Sequence, residues 1–357
     1  MELMYLLIFA VTAVALSLLI NSLFLKFSSN LGTRHTDQMV RWAGSHVKPS
    51  VGGFSFYLVF LFAFVVQLVW QPIEGAKVQQ LGLLAACTLG FLVGLADDAY
   101  NTKPILKFTG QFLCGLTFFM TGNGIGIFEV EGINFAFTII WVAGLMNSVN
   151  MLDNMDAITS STSLITIAGI AGGLYLFFGN QTLASSDMLL LIGVGGALLG
   201  FLYYNWNPSR IYMGDTGSMF IGVFLAGMSI RFLWNGSFNP DTIHPVIVQL
   251  SIVWLFFVVP IADTLTVSVN RIRKGKSPFV GGRDHTTHHL AYLGFKDRHV
   301  AVLISALQIA AIAWGLIVWH HAESIQAWHF WVNLSVCLSI TIGLYSTTLL
   351  ASPPTKK

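Results

Sequence analysis

The strongest constraint on this chain is the length of its apolar runs. Stretches of roughly 20 apolar residues with few internal charges recur from Leu3 to Leu350, and that is the length a helix needs to cross a bilayer. Composition agrees: of 357 residues 55% are hydrophobic and 10% charged, where a soluble domain carries about 25% charged. The sequence predicts an all-α, polytopic integral membrane protein, a single domain over residues 1–357.

Divided at charged and Gly/Pro/Asn-rich breaks, the chain gives about eleven spans: 3–27, 51–70, 81–96, 108–121, 133–149, 161–179, 187–205, 217–234, 246–270, 300–320 and 328–351. The first opens Met1-Glu2 without a basic n-region or a small-residue cleavage site, so it is expected to persist as a span. Of 18 Lys and Arg, 16 fall after the odd-numbered spans, among them Arg34, Arg41, Lys48, Lys103, Lys107, Arg283, Lys356 and Lys357. Lys77 and Arg231 fall on the other side. The positive-inside rule then predicts the N-terminus outside and the C-terminus in the cytoplasm. A net charge of +2 with no basic stripe argues against a nucleic-acid partner.

The acidic residues sort by type. All five Glu (Glu2, Glu74, Glu129, Glu131, Glu323) fall on the outer side, and nine of eleven Asp (Asp37, Asp97, Asp98, Asp153, Asp156, Asp215, Asp263, Asp284, Asp297) on the inner. Leaving five such carboxylates in lipid would cost on the order of 12–17 kcal/mol. They are expected to line a hydrated cavity.

Four inner segments carry chemistry. Span 3 ends in Asp97-Asp98, an adjacent pair that needs a cation nearby, either a metal or Lys103 or Lys107; a polar helix end is the plainer reading. Span 5 runs into Asn147-Ser148-Val149-Asn150-Met151-Leu152-Asp153-Asn154-Met155-Asp156, whose oxygen-bearing side chains share a helical face and suit a hard cation or a hydrogen-bonding ligand. The segment Asn205-Trp206-Asn207-Pro208-Ser209-Arg210-Ile211-Tyr212-Met213-Gly214-Asp215-Thr216-Gly217-Ser218 opens span 8; its helix start is expected to present N–H groups to phosphate, with Asp215 holding a bridging cation and Tyr212 a stacking face. Span 9 holds Pro260, an expected kink, and Asp263. After it come Arg271 to Lys276, read as anchors for anionic headgroups, and Arg283-Asp284-His285-Thr286-Thr287-His288-His289, suited to diphosphate, with zinc as the rival ligand.

This ordered set, from His46-Val47-Lys48-Pro49-Ser50 to the His285 segment, resembles the polyprenyl-phosphate N-acetylhexosamine-1-phosphate transferases, the superfamily that includes WecA, TagO and MraY. The resemblance implies a ten- or eleven-helix bundle in the bacterial cytoplasmic membrane with its site on the cytoplasmic face. It implies Asp97 and Asp98 as a catalytic acidic pair together with Asp215, and Mg²⁺, or Mn²⁺, on Asp215 and Asn150. It also implies Asp153 and Asp156 around the nucleoside, Tyr212 on uracil, and Lys48, Lys107, Arg283, His285 and His288 toward phosphate. Asn147 and Asn207 complete the substrate-facing set. Two positions depart from the family: Asp153-Asn154-Met155-Asp156-Ala157 stands where Asp-Gly-x-Asp-Gly is usual, and the histidines take the His-x-x-His form of the WecA type. The expected reaction transfers N-acetylglucosamine-1-phosphate from a UDP-N-acetylhexosamine to undecaprenyl phosphate with release of UMP. An MraY-type phospho-MurNAc-pentapeptide transferase and a secondary transporter are the rivals, and pairing of two copies as a homodimer is left open.

Overall fold

The computed structural model describes residues 2–27, 48–70, 77–179, 182, 185–236, 245–278, 281–321 and 327–351. Arg34, Asp37, Arg41, His46, Val47, Glu74, Glu323, Lys356 and Lys357 lie outside the described residues. The described residues form helices α1 (Glu2–Phe27), α2 (Gly52–Trp70), α3 (Lys77–Tyr100), α4 (Pro104–Met120), α5 (Glu131–Leu152), α6 (Ile158–Phe178) and α7 (Ser186–Asn205). Then follow α8 (Gly214–Ser229), extended by a π-helical turn, α9 (Pro245–Phe256), α10 (Val258–Arg273), α11 (Thr286–Tyr292), α12 (Asp297–His320) and α13 (Ala327–Leu350).

Among the described residues, nine helices are long and apolar enough to cross a membrane, and α9 with α10 would make a tenth if counted as one span. The expected fourth span is α4, 17 residues long; at 1.5 Å per residue it reaches about 25 Å, a turn short of the hydrocarbon core. Pro104 opens it, and Gly122, at φ +74°, turns the chain away after Thr121.

Residues 246–270, expected as one kinked span, are two helices meeting at 84° around Phe257. The cause is Pro260, which has no N–H to give to the carbonyl of Phe256. That carbonyl accepts instead from Gln308 Nε2 (2.7 Å) and Thr166 Oγ1 (3.3 Å), side chains of α12 and α6. Replacement of a lost backbone bond by neighbouring side chains is what makes a break tolerable at membrane depth.

The bundle is organised around α8, whose apolar stretch is 89% buried against 17% for α13. Phe220 and Phe224 of α8 form a fully buried aromatic layer with Phe56, Phe60 and Phe201. Successive helices alternate in direction, so one end of the bundle gathers the C-terminal ends of α3, α5, α7 and α13 with the N-terminal ends of α2, α4, α6 and α8. Asp97, Asp98, Asp153, Asp156, Asp215, Asp263 and Asp284 all belong to that end.

Candidate active site

The site begins with a close helix approach. A Cβ on Gly94 would sit 2.2 Å from the carbonyl oxygen of Asp215, so glycine lets the end of α3 lie against the start of α8. That approach carries Asp98 onto the α8 N-terminus. Its Oδ1 accepts from Asp215 N–H (3.1 Å), and its Oδ2 accepts from Thr216 N–H (2.8 Å) and hydroxyl (2.7 Å). Asp98 therefore satisfies two N–H groups that the helix start leaves without partners, and its charge faces the positive end of the dipole. One expectation is corrected here: the Gly214 to Ser218 turn does not offer these N–H groups to phosphate, because Asp98 holds them. Asp97 and Asp98 turn to different partners.

Asp97 faces a second cluster. Its Oδ1 accepts from Thr102 N–H (3.0 Å) and hydroxyl, and its Oδ2 takes the Lys107 ammonium at 3.2 Å. The same ammonium reaches Asp215 Oδ2 at 3.0 Å and Asn150 Oδ1 at 3.3 Å. Asn150 Nδ2 donates to Asp215 Oδ1 (2.7 Å) and to Ser218 Oγ (2.8 Å). Four helices, α3, α4, α5 and α8, thus converge on one cationic point. Two carboxylates and an amide oxygen form an oxygen-only donor set, the kind Mg²⁺ takes when waters and phosphates complete its shell. Among the described residues no three His, Cys, Asp or Glu side chains form a group that could hold a metal ion.

Two cavities flank this cluster. The first, of about 580 Å³, is lined by Lys48, Asp153, Asp156, Asn207, Tyr212, Asp215, Arg283 and His288. The second, of about 530 Å³, is lined by Asp97, Lys107, Asn147, Asn150, Asp153, Arg271, His285 and His288. Asp153, Asn154 and His288 line both, so the cavities adjoin there. Of the residues that the resemblance assigns to the site, Asp98 alone lines neither.

Several of them are committed to neighbours. Asp156 accepts from Asn207 Nδ2 (3.0 Å), Ser209 N–H (2.9 Å) and Ser209 Oγ (2.7 Å), fixing the 207–210 loop. Lys48 donates to that Ser209 hydroxyl at 3.0 Å and lies over the Tyr212 ring at 5.2 Å, leaving aromatic and ammonium side by side at the wall. Asn147 exchanges two hydrogen bonds with Gln111 (3.0 and 2.8 Å) and forms the floor of the second cavity. His289 turns away: its Nδ1 meets the Ala351 carbonyl at 2.8 Å, so two of the three histidines face the cavities.

Ala157, at the family's usual Gly, takes the left-handed conformation that Gly would take, at φ +65°. Among the described residues only Asn101 and Ala157 are non-glycine positions with positive φ, so Asn154 does not supply the left-handed turn. The strained turn is held by Asn205, whose Oδ1 accepts from Ala157 N–H (3.1 Å) and Ser160 Oγ (2.8 Å).

Sequence reasoning named two further residues without placing them at the site. Asp263, 1% exposed, takes His285 Nδ1 at 2.8 Å and the N–H (2.8 Å) and hydroxyl (2.6 Å) of Thr286, which fixes the His285 ring. A carboxylate inside a Pro-broken apolar run was the signal. Arg271, read as a lipid anchor, is buried and makes a two-pronged pair with Asp284 (2.8 and 2.7 Å), and its Nη1 donates to the Pro278 carbonyl at 2.6 Å. Burial alone would raise the Asp284 carboxyl; the Arg271 guanidinium outweighs it and holds the group below the usual 3.8.

Burial, with His285 5.8 Å away between ring centroids, lowers His288 from the ordinary 6.5 to about 4. His288 is therefore neutral at pH 7. The unfolded chain takes up this proton first as the pH falls, so His288 removes stability between about pH 6.5 and pH 4. His288→Gln is expected to flatten the fall in melting temperature across that window, measured against wild type in the same detergent. Parallel curves for the two proteins would contradict this assignment.

The glycosyl transferase family 4 model matches residues 80–233, a stretch that holds Asp97, Lys107, Asn150, Asp153, Asp156, Tyr212 and Asp215. Decaprenyl-phosphate N-acetylglucosaminephosphotransferase of Mycolicibacterium smegmatis is 28% identical over 292 residues, 76% of this chain and 72% of the relative. The probable undecaprenyl-phosphate N-acetylglucosaminyl 1-phosphate transferase of Bacillus subtilis is 27% identical over 62% of each chain. Phospho-N-acetylmuramoyl-pentapeptide-transferase of Streptococcus equi is 34% identical over 250 residues, 62% of this chain and 70% of the relative. With the helical bundle and the Asp97–Lys107–Asp215 centre between two cavities, these matches show that the chain belongs to glycosyl transferase family 4.

Proposed function

We propose that this protein transfers N-acetylglucosamine-1-phosphate from UDP-N-acetylglucosamine to undecaprenyl phosphate, releasing UMP, at the cytoplasmic face of a bacterial inner membrane. The observation that carries the reading is the junction of two cavities at a cluster of two carboxylates, an amide and an ammonium. A transfer between two phosphate-bearing substrates needs two binding spaces that meet where the phosphoryl group passes. The concentration of basic residues at the same end supports a cytoplasmic placement, with the N-terminus outside.

In this reading the first cavity takes the nucleotide. Tyr212 offers its face to the base, Lys48 and Arg283 meet the diphosphate, and Asp156 holds the 207–210 loop in place. The second cavity takes the lipid phosphate, with Lys107, Arg271 and His285 along its wall. A phosphate monoester has its second pKa at about 6, so the attacking oxygen is already largely ionised at pH 7. That oxygen forms a bond to the sugar-bearing phosphorus, and the bond from this phosphorus to the UMP oxygen breaks. Asp97 orients the nucleophile or takes its last proton. Asp215 and Asn150, with Asp97 beside them, would hold Mg²⁺, which when bound offsets the charge of the two polyanions and of the departing UMP. The transporter rival has no support in the site, whose carboxylates sit at helix ends on one side of the bundle.

The test is release of UMP from UDP-N-acetylglucosamine by purified protein, expected to require both Mg²⁺ and added undecaprenyl phosphate. A panel of UDP-sugars that includes UDP-MurNAc-pentapeptide decides between the two substrate types named among the relatives. Turnover of the pentapeptide donor alone would replace the N-acetylglucosamine reading.

A further inference from the structure

The oxygens around Lys107 divide into two sets. Asp97 Oδ1 is taken by Thr102, and Asp215 Oδ1 by Asn150 Nδ2. The oxygens left to face a ligand are Asp97 Oδ2, Asp215 Oδ2 and Asn150 Oδ1, and the Lys107 ammonium holds all three, at 3.2, 3.0 and 3.3 Å. A divalent ion cannot reach this donor set while the ammonium is there, because it would need the same lone pairs at short range from a like charge. Lys107 is also badly placed for its own helix. It lies in the first turn of α4, where a cation opposes the dipole, so helix stability does not account for it. Its side chain is 19% exposed and lines the second cavity, where there is room for the stem to swing.

We propose that Lys107 is the resident counter-cation of the metal position: its ammonium holds Asp97, Asp215 and Asn150 together before the metal binds, gives up that position to the divalent ion, and moves into the second cavity to meet substrate phosphate. The inference rests on the phosphotransferase reading for the phosphate, but the exchange of cations can be measured without turnover. It accounts for how two carboxylates are kept at one point in the metal-free protein, and it makes the two roles of Lys107, neutraliser and phosphate ligand, successive.

The experiment titrates detergent-solubilised protein with Mn²⁺, without nucleotide or lipid, and follows free Mn²⁺ by electron paramagnetic resonance. Lys107→Met and Lys107→Gln are expected to bind Mn²⁺ at least about tenfold more tightly than wild type, since the competing charge is gone. Lys107→Arg keeps the charge and is expected to stay near wild type. Adding Asp215→Asn to Lys107→Met is expected to abolish the gain. Neutral variants that bind Mn²⁺ no more tightly than wild type, or a gain that survives Asp215→Asn, would overturn the proposal. A second measurement needs no variant: in wild type, Mn²⁺ is expected to increase acylation of Lys107 by an amine-reactive reagent, read by mass spectrometry, as the ammonium leaves its carboxylates. Unchanged or reduced acylation would also overturn it. If wild type releases UMP while these binding results fail, the cation exchange alone is wrong. If the binding results hold while no UDP-sugar is turned over, the reaction assignment is wrong and the exchange stands.

Discussion

Asp215→Asn is expected to lower UMP release about 10³-fold, the scale on which a single group that stabilises transition-state charge is felt. The asparagine keeps an oxygen for the 2.7 Å bond from Asn150, but it turns an amide donor, or at most a neutral oxygen, toward the Lys107 ammonium 3.0 Å away. The helix it begins is not endangered, because the α8 start is held through backbone N–H groups by Asp98 and not by the Asp215 side chain. The melting temperature should therefore stay close to wild type while kcat collapses and Mn²⁺ binding is lost. A variant within about tenfold of wild-type kcat would remove Asp215 from the reaction centre.

The second large effect is on stability. Arg271→Met is expected to destabilise the protein by about 3–5 kcal/mol, because it leaves the Asp284 carboxylate without its buried partner and the Pro278 carbonyl without its donor. Arg271 is 5% exposed on its side chain, so water cannot take over its role. The Asp284 carboxyl is held below its ordinary value in the folded protein, so its contribution is fully present above pH 3.8 and is lost as the pH falls below that. The deficit of the variant should narrow in the same acid range. Removing both charges with Arg271→Met and Asp284→Leu should recover more than either single change, since paired removal strands no charge. Thermal unfolding in a detergent without anionic lipid measures this. An Arg271→Met protein as stable as wild type there would restore the lipid-anchor reading.

Much of the architecture was legible in the sequence because membrane insertion leaves few solutions. Apolar runs near 20 residues had to be helices, and charged side chains had to collect at their ends. The break at Phe257 was only half legible. Pro260 announced a kink, but an 84° bend needed Gln308 and Thr166 on two other helices to take the carbonyl that proline leaves without a donor. The shortness of α4 was legible, since the fourth expected span, 108–121, is itself short and the helix begins only about one turn earlier, at Pro104. At the site, the sequence showed which polar and charged residue types collect, while their partners were not legible in it. Asp98 has the same neighbours in sequence as Asp97, yet the close packing permitted by Gly94 sends it to a helix end instead of a cavity.

The sequence by itself determined the helical membrane class and the end of the bundle where most Asp side chains gather, because each follows from the cost of placing charge or an unpaired backbone group in lipid. The tertiary structure decided which carboxylate is a cap and which faces a cation, that Arg271 is a buried partner of Asp284, and that Lys107 holds three ligand oxygens at one point. Those outcomes depend on contacts between residues separated by up to 118 positions, such as Thr216 with Asp98, and are set by how closely helices can approach. No local pattern in a sequence carries that distance.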